Sequence, residues 1–245
     1  MELPGFCCES RSALVTVKTD FERVATEWVE KARQFPAAIL ADVAGRRGGL
    51  SGRIRALNPA MQLAGPAFTV EVRPGDNLMI HAALMLARPG DVLVVDGKGD
   101  LSCALTGGLM AAHAKAAGIA GFVIDGAVRD VAECAQGDFP IFAAGFNPNG
   151  PTKAVAGRIG SPISAGGIAI EPGDLVIGDA DGVTVIPRHQ VASVLAQAQA
   201  KVDAESARMA EIARGDLMPD FLNACLRHAG LIASQQDWQA LGASE

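Results

Sequence analysis

The spacing of hydrophobic and polar residues predicts helices and at least one strand in the first third of the chain. Helical spacing runs through Phe21–Arg33, and a short second helix is predicted over Ala37–Ala44, where Gly45 ends it. Alternation with a period of two predicts a strand over Ala67–Val72. Helical spacing returns over Asn77–Leu86. This part of the chain therefore predicts a mixed α/β fold.

The middle of the chain has unbroken apolar runs that alternate with helical patterns. Asp91–Asp96 and Gly121–Asp125 are apolar without alternation, as in strands that are covered on both faces. Helical patterns follow them over Thr106–Ala117 and Val128–Ala135, and Gly97–Asp100 is interpreted as a connection. The order strand, helix, strand, helix predicts a βαβα unit with parallel strands.

The pattern changes after Phe139–Phe142 to short strands separated by turn residues. Gly167–Ile170, Leu175–Ile177 and Gly182–Ile186 alternate with Pro, Gly and Asp-rich turns. These segments predict an antiparallel β portion that follows the parallel unit.

The two ends of the chain are predicted to be arms. Residues 1–19 have the character of a loosely held segment, and two helices are predicted over His189–Arg214 and Pro219–His228. We predict one domain that could pack its arms on its own core or on a neighbouring subunit. The predicted boundaries are a single domain over 1–245, a core at about 36–190, and helical arms at 1–35 and 189–245.

Composition narrows the class of protein. Hydrophobic residues make up 49% of the chain, aromatic residues only 4%, and Tyr is absent, so we expect an aliphatic core. The net charge of −6 and the lack of stacking aromatics argue against nucleic acid as a partner. Five scattered cysteines without zinc spacing favour a reducing cytoplasm. We see no signal peptide and no apolar run long enough to cross a membrane.

The most informative residues for function lie after the two buried strands. Gly107-Gly108-Leu109-Met110 predicts a glycine-rich helix start, where free backbone N–H groups favour an anion. Arg129 offers a planar fork for a carboxylate or phosphate, and Asp130 offers the oxygen ligand that Mg²⁺ or Mn²⁺ prefers. Both would lie at the carboxyl ends of parallel strands, where open α/β sheets bind ligands. Together they indicate a site for a small oxyanion beside a divalent metal.

Each of these features also has a purely structural interpretation. Gly107 and Gly108 are explained equally well by the close approach of a ligand or of another strand or subunit. An Asp at a helix start complements the helix dipole, whatever else it does. Cys103 is expected to be a small core residue rather than a nucleophile. The four histidines have no catalytic or metal spacing, and most of them are expected to be structural or exposed: His81, His113, His189 and His228.

A nucleotide-binding loop is not favoured. Gly97 and Gly99 form only a G-x-G, and Ser102 stands where a third glycine would be expected. The segment is therefore predicted to be a simple connection between a strand and a helix.

Several runs, in this order, resemble one known family. They are Asp76-Asn77-Leu78-Met79-Ile80-His81, Gly90–Asp96, Gly107–Met110, Val123–Asp130, Phe139–Phe142 and Gly173–Val183. The set resembles the regulator of ribonuclease E activity A family, which includes the class II 4-hydroxy-4-methyl-2-oxoglutarate and 4-carboxy-4-hydroxy-2-oxoadipate aldolases. The resemblance covers about residues 36–190. It implies a swivelling α/β/β sandwich, and a homotrimer or dimer of trimers with active sites between subunits.

The resemblance also implies roles for the site residues. Gly107, Gly108, Leu109 and Met110 would bind the carboxylate of a small 2-oxo acid through backbone N–H groups. Arg129 would bind the substrate oxygens and stabilise an enolate, and Asp130 would be the direct protein ligand of Mg²⁺ or Mn²⁺. The expected activity is that of a metal-dependent lyase, either an aldolase or an oxaloacetate decarboxylase. Such sequences are sometimes named as methyltransferases that act on a quinone. This sequence does not support that activity, because it has no convincing loop for an adenosyl cofactor.

One position departs from the aldolases of this family. They carry an Asp at the position of Gly108, and that Asp positions the water that handles proton transfer. Asp96, Asp100 or a carboxylate of a neighbouring subunit could replace it, and the sequence does not decide among them. Decarboxylation needs less proton transfer and should survive the change better. The alternative is a non-catalytic regulator that acts by protein–protein binding.

Overall fold

The structure, a computed structural model, describes residues 16–242, and these contain eleven strands and seven α-helices. The strands are β1 (Thr16–Val17), β2 (Arg55–Ala56), β3 (Leu63–Glu71), β4 (Val92–Thr106), β5 (Gly121–Val128), β6 (Ile141–Phe146), β7 (Arg158–Ile159), β8 (Ile163–Ala165), β9 (Ile168–Ile170), β10 (Leu175–Asp179) and β11 (Gly182–Ile186). The helices are α1 (Thr26–Ala32), α2 (Ala37–Val43), α3 (Leu78–Leu86), α4 (Gly108–Ala116), α5 (Val131–Gln136), α6 (Val191–Ala213) and α7 (Leu222–His228). Short 3₁₀ helices cover Arg188–Gln190 and Trp238–Gly242.

Four parallel strands form the centre of the fold. β3, β4, β5 and β6 lie side by side in chain order, and helices α3, α4 and α5 connect them. The predicted βαβα unit is therefore present. Strand β3 has two partners on one edge: its first half pairs antiparallel with β10, and its last two residues pair antiparallel with β7. Strands β10 and β11 form the predicted antiparallel portion.

The sheet separates two hydrophobic layers. One layer packs α3 and α4 on the sheet through residues such as Ile80, Leu84 and Phe122. The other packs the opposite face against the antiparallel strands through residues such as Val94 and Val176. Strands that are covered on both faces need apolar residues at every position, which explains the unbroken runs in β4 and β5.

Strand β4 is longer than the sequence predicts. The predicted strand ends at Asp96, but pairing with β5 continues to Thr106 with register shifts after Asp96, Asp100 and Ala104. The sequence predicts a connection over Gly97–Asp100. In the structure this segment belongs to the irregular part of β4, so that prediction is wrong. The helix that follows begins at Gly108 and not at Thr106.

Two other predicted helices start later than expected. Val128 still belongs to β5, so α5 begins only at Val131, after the pair Arg129 and Asp130. The predicted helix over Phe21–Arg33 is shortened to α1 because its first residues make long-range contacts. Phe21 packs on Phe68 with 5.8 Å between ring centroids, and Arg23 forms a bidentate ion pair with Asp91 at 2.7 and 3.0 Å.

The predicted arms are described in part. Residues 1–15 and 243–245 lie outside the described residues. Thr16 and Val17 form a strand that pairs with β7, so this part of the first arm is not helical. Among the described residues, those up to Gln199 form one compact unit, and those from Ala200 form a second, which contains α7. Within residues 16–242, no helix is long and apolar enough to cross a membrane.

Candidate active site

A cleft of about 220 Å³ opens at the carboxyl ends of β4 and β5, beside the first turn of α4. Five of the six predicted site residues line it, and these are Gly107, Leu109, Met110, Arg129 and Asp130. Gly108 instead lines a neighbouring depression together with Glu133. The structure therefore brings the predicted anion-binding and metal-binding residues together at the sheet edge that the parallel topology favours.

The turn between β5 and α5 fixes Arg129 and Asp130. The Arg129 N–H donates to the Thr106 carbonyl at 3.0 Å, which ties the end of β5 to the end of β4. Asp130 then adopts a left-handed conformation with φ of 57°, which is uncommon for a residue other than glycine. Such a conformation costs about 1–3 kcal/mol and persists only where the surroundings enforce it. Here it turns the Asp130 carboxylate towards the start of α4.

The Asp130 carboxylate contacts both neighbouring elements. Its Oδ2 accepts a hydrogen bond from the Gly108 N–H at 3.0 Å and lies 3.6 Å from Arg129 Nε. About half of each of the Arg129 and Asp130 side chains is exposed, at 47% and 41%. Both groups are thus oriented by the protein and still accessible to a ligand in the cleft.

The side chains of Arg129 and Asp130 lie so close to Gly107 that this position requires a glycine. A Cβ at Gly107 would lie 2.5 Å from Asp130 Oδ2 and 2.9 Å from Arg129 Cγ, so no side chain fits there. A Cβ at Gly108 would instead lie 3.2 Å from both carboxylate oxygens of Glu133. Within the chain, the neighbours of these glycines are the side chains of Arg129 and Asp130 for Gly107 and the side chain of Glu133 for Gly108.

The backbone donors at the start of α4 are only partly free. The Gly108 N–H faces Asp130, and the Met110 N–H bonds the Gly107 carbonyl at 3.1 Å. The Leu109 N–H has no acceptor in the part of the chain that the structure describes. The site that was expected to bind a carboxylate through four residues therefore offers fewer free N–H donors, and the Leu109 N–H is one of them.

The inner wall of the cleft carries polar atoms that sequence reasoning missed. Among residues 16–242, the buried side-chain polar atoms without a hydrogen-bond partner are Asn77 Oδ1, His81 Nε2 and Thr106 Oγ1, and all three residues line this cleft. Asn77 and His81 are four residues apart, so they share one face where α3 begins. The expectation that His81 is only structural or exposed is therefore incomplete. The spacing of these two residues was the one available signal.

His81 is surrounded by groups that oppose its protonation. Burial lowers the pKa of His81 below its ordinary value, and the positive charges of Lys153 and His113 lower this pKa further. Lys153 itself lies at the rim of the cleft. The cleft therefore presents a cation beside an imidazole whose neutral form is favoured.

Lys153 is held at the rim by Asp76. The Asp76 Oδ2 accepts hydrogen bonds from the Thr152 hydroxyl and the Ala154 N–H, each at 2.7 Å, and from the Val155 N–H at 3.2 Å. Burial by itself would raise the pKa of Asp76, but these hydrogen bonds outweigh burial and lower the pKa below its ordinary value. An ionised Asp76 thus fixes the segment that carries Lys153.

The other residues considered from the sequence lie outside this cleft. Burial raises the pKa of the Cys103 thiol, and the nearby Asp100 raises it further, which disfavours a nucleophilic thiolate. Asp96 is buried and pairs with Lys98 at 2.6 Å, and Asp100 accepts a hydrogen bond from the Ser102 hydroxyl at 2.7 Å. Neither Asp lines the cleft, whereas the Glu133 carboxylate lies beside Gly108.

The residues of the site suit a divalent metal ion that prefers oxygen ligands and is held by few protein groups. Within residues 16–242, no three His, Cys, Asp or Glu side chains cluster as a complete metal cage. Asp130 keeps one oxygen, Oδ1, without a hydrogen-bond partner among the described residues. Mg²⁺ commonly keeps several waters and binds proteins through one or two carboxylates together with the substrate. A single carboxylate with one free oxygen fits that mode and does not fit a structural zinc site.

Comparison with known proteins places the chain in a family. The family model described as RraA-like, Aldolase/RraA, matches residues 32–185. The chain belongs to the RraA-like family. A protein of Halalkalibacterium halodurans, provisionally named a 4-hydroxy-4-methyl-2-oxoglutarate aldolase, is 43% identical over 182 residues, which are 74% of this chain and 87% of that protein.

Solved structures of similar proteins share the fold. Streptomyces coelicolor RraAS2, described as an unusual member of the RNase ES inhibitor RraA protein family, matches with a TM-score of 0.70 and 29% identity over 78% of this chain and 99% of its own. A Geobacillus kaustophilus protein described as an S-adenosylmethionine:2-dimethylmenaquinone methyltransferase matches with a TM-score of 0.57 and 33% identity over 62% and 94%. In the present chain, Gly97–Gly99 lies in the excursion of β4 and does not begin a helix, unlike the glycine-rich turn of a dinucleotide-binding motif.

Proposed function

We propose that this RraA-like chain is a divalent-metal-dependent lyase that cleaves a small 2-oxo acid through the enolate of pyruvate. The observation that supports this most strongly is the enforced turn that brings the Arg129 guanidinium, the Asp130 carboxylate and the start of α4 to one cleft. The provisional aldolase name of the Halalkalibacterium relative agrees with the proposal. We further propose that the protein acts in the reducing cytoplasm.

The residues of the cleft can perform the binding and charge stabilisation that this reaction needs. The Leu109 N–H and the Arg129 guanidinium bind the carboxylate of the pyruvyl part. As the bond between C3 and C4 breaks, its electron pair moves into the 2-oxo group, and Arg129 stabilises the negative charge that develops there. Asp130 would hold Mg²⁺ or Mn²⁺, which would supply a Lewis acid for the same charge.

Two substrates with different leaving groups are compatible with this cleavage of the C3–C4 bond. Aldol cleavage of 4-hydroxy-4-methyl-2-oxoglutarate removes the proton of the 4-hydroxyl and releases two molecules of pyruvate. Oxaloacetate decarboxylation releases CO₂ and needs no proton from a hydroxyl. Because Gly108 has no side chain, Glu133 is the carboxylate beside that position that is available for proton transfer in aldol cleavage.

The test measures pyruvate release from both substrates, each with Mg²⁺ and with EDTA. We expect metal-dependent release by the wild-type protein and a loss of at least about 100-fold in Asp130→Ala, because the metal and its charge stabilisation are removed. Asp138→Ala is the matched control, since Asp138 is an exposed carboxylate that pairs with Lys115 and does not line the cleft. A full rate in Asp130→Ala would show that the proposed mechanism is wrong.

A non-catalytic regulator is the second candidate. It is favoured by the missing acid at Gly108 and by the description of the Streptomyces relative as a member of a ribonuclease inhibitor family. Absence of metal-dependent release from either substrate, together with co-purification of a ribonuclease, would support the regulator over the lyase.

A further inference from the structure

The C-terminal unit, which we define as the described residues from Ala200 to Gly242, has helices but almost no hydrophobic core. It contains the end of α6, the whole of α7 and the last 3₁₀ helix. Among these residues, Ile232 is the one hydrophobic side chain that is buried. Segments of about 40 residues usually need disulfides, metals or oligomerisation to be stable. The unit therefore needs a source of stability beyond its own packing.

The hydrogen bonds within the C-terminal unit do not supply that stability. The Arg227 guanidinium donates to the Gln236 carbonyl at 2.9 and 3.2 Å, and the Trp238 N–H donates to Asn223 Oδ1 at 2.8 Å. These bonds fix the last 3₁₀ helix against α7, but all of them are exposed. Because exposed hydrogen bonds replace similar bonds to water, they stabilise the folded unit only slightly.

The large hydrophobic side chains of the C-terminal unit are turned to solvent. Half of the fourteen large hydrophobic side chains that are exposed among residues 16–242 belong to this short unit. They are Met209, Ile212, Leu217, Phe221, Leu231, Trp238 and Leu241. Together they expose on the order of 700 Å², which is close to the roughly 800 Å² that each partner contributes to a standard protein interface. Exposed apolar surface of this extent marks an interaction surface.

The charge of the unit limits the kind of partner. Residues 200–245 carry four Lys and Arg against seven Asp and Glu, a net charge of −3. Nucleic acid and anionic membranes are bound by clustered positive charge, so neither suits this surface. Along α6, Lys201 pairs with Glu205 at 3.1 Å. Arg208 likewise pairs with Glu211 at 2.8 Å, so the exposed apolar side chains decide the partner, which must itself present an apolar protein surface.

We propose that the C-terminal units of two copies of this chain pack against each other about a two-fold axis. A two-fold contact uses the same surface on both copies, so every chain carries the apolar partner that its own surface requires. The exposed apolar area of one unit is about the area that such a contact needs from each side. The unit also lies beyond the part of the chain that the family model matches, which ends at residue 185. None of its residues line the cleft, so the inference does not rest on the proposed lyase activity.

Helix α7 provides two side chains that report on this contact. The Cys225 N–H donates to the Phe221 carbonyl at 3.0 Å, as in one helical turn, so Phe221 and Cys225 share one face of the helix. Phe221 is 65% exposed in the single chain, and Cys225 is a free and exposed cysteine. A second copy that covers Phe221 therefore covers Cys225 as well.

The first test measures the mass of the full-length protein by light scattering. We expect the wild-type assembly to contain an even number of chains, and we expect Phe221→Glu to halve its mass, because a charge without a partner is costly in a dry contact. Gln235→Glu adds the same charge at an exposed polar residue of the same unit and is the matched control, which should keep the full mass. Circular dichroism should show both variants folded, since neither side chain is buried. An odd number of chains in the wild-type assembly, or an unchanged mass in Phe221→Glu, overturns the inference.

The second test measures the rate at which a maleimide labels Cys225, with the labelled residue identified by mass spectrometry of peptides. We expect labelling to be at least about tenfold slower in the wild-type protein than in Phe221→Glu at the same concentration, because only dissociated chains expose the thiol and assembly lowers their fraction by mass action. Dilution of the wild-type protein should raise its rate towards that of the variant. Gln235→Glu should retain the slow rate. Equal rates in the wild-type protein and Phe221→Glu would show that no second copy covers α7, and would overturn the inference.

Discussion

Adjacent glycines at the start of α4 have different structural neighbours. Gly107 faces the short Asp130 side chain and the base of the Arg129 side chain at less than 3 Å, whereas Gly108 faces the end of the longer Glu133 side chain at 3.2 Å, which can move. We expect Gly107→Ala to displace Asp130 and lower kcat/KM for pyruvate release about 100-fold, since a shift of about 1 Å in reacting groups has effects of that size. Gly108→Ala should cost at least ten times less. Equal losses in the two variants, with circular dichroism showing both folded, would contradict this account.

Residue types explain which parts of the site the sequence revealed. Gly107, Arg129 and Asp130 were identifiable because a glycine at a helix start, a guanidinium fork and a carboxylate after a buried strand each have a specific chemical use. Asn77 and His81 have ordinary positions at the beginning of an apolar helix. Their importance depends on partners that they lack in the folded chain, and apart from their spacing of four residues the sequence does not reveal this.

At the level of elements, Asp76 joins the start of α3 to the segment that carries Lys153. In Asp76→Asn an amide donor replaces one carboxylate oxygen that faces N–H and hydroxyl groups of residues 152–155. We expect the free energy of unfolding to fall by about 1–3 kcal/mol at neutral pH, measured by urea denaturation.

The pH dependence of this effect has a defined sign. Because the pKa of Asp76 is lowered in the folded protein, its stabilisation is fully present above the unfolded-state pKa of about 3.9 and is lost as the pH falls through the lower folded-state value. The difference between wild type and Asp76→Asn should therefore shrink only in strong acid. A difference that stays constant over the same pH range would show that the carboxylate charge is not the cause.

Local patterns predicted elements well where neighbours in sequence are neighbours in space. Helix α2, strand β11 and the ends of α3 follow their periodicity closely. The excursion of β4 does not follow its local pattern. The ten residues after Asp96, up to Thr106, are matched by only the three residues after Asp125, up to Val128, on the partner strand. Such register shifts are set by pairing between distant segments, and the pattern of a single strand does not contain them.

For the whole molecule, the edge of the sheet that holds the cleft also exposes large apolar side chains. Leu109 is 85% exposed, Phe146 at the end of β6 is 60% exposed, and Leu101 in the β4 excursion is 43% exposed. Exposed apolar groups at such an edge favour self-association. They support the proposal that the chain assembles as a homotrimer, or a dimer of trimers, with this edge buried.

If that edge is the interface, mass and activity should change together. We expect light scattering to give three or six times the mass of one chain for the wild-type protein. Phe146→Glu places a charge in the contact and should shift the mass towards one chain, while Met85→Glu adds the same charge to the 74% exposed Met85 on α3 and should leave the assembly intact. Because the cleft opens at the same edge, pyruvate release by Phe146→Glu should fall with the assembled fraction and recover as protein concentration rises. A dissociated variant with full activity would place the complete active site within one chain.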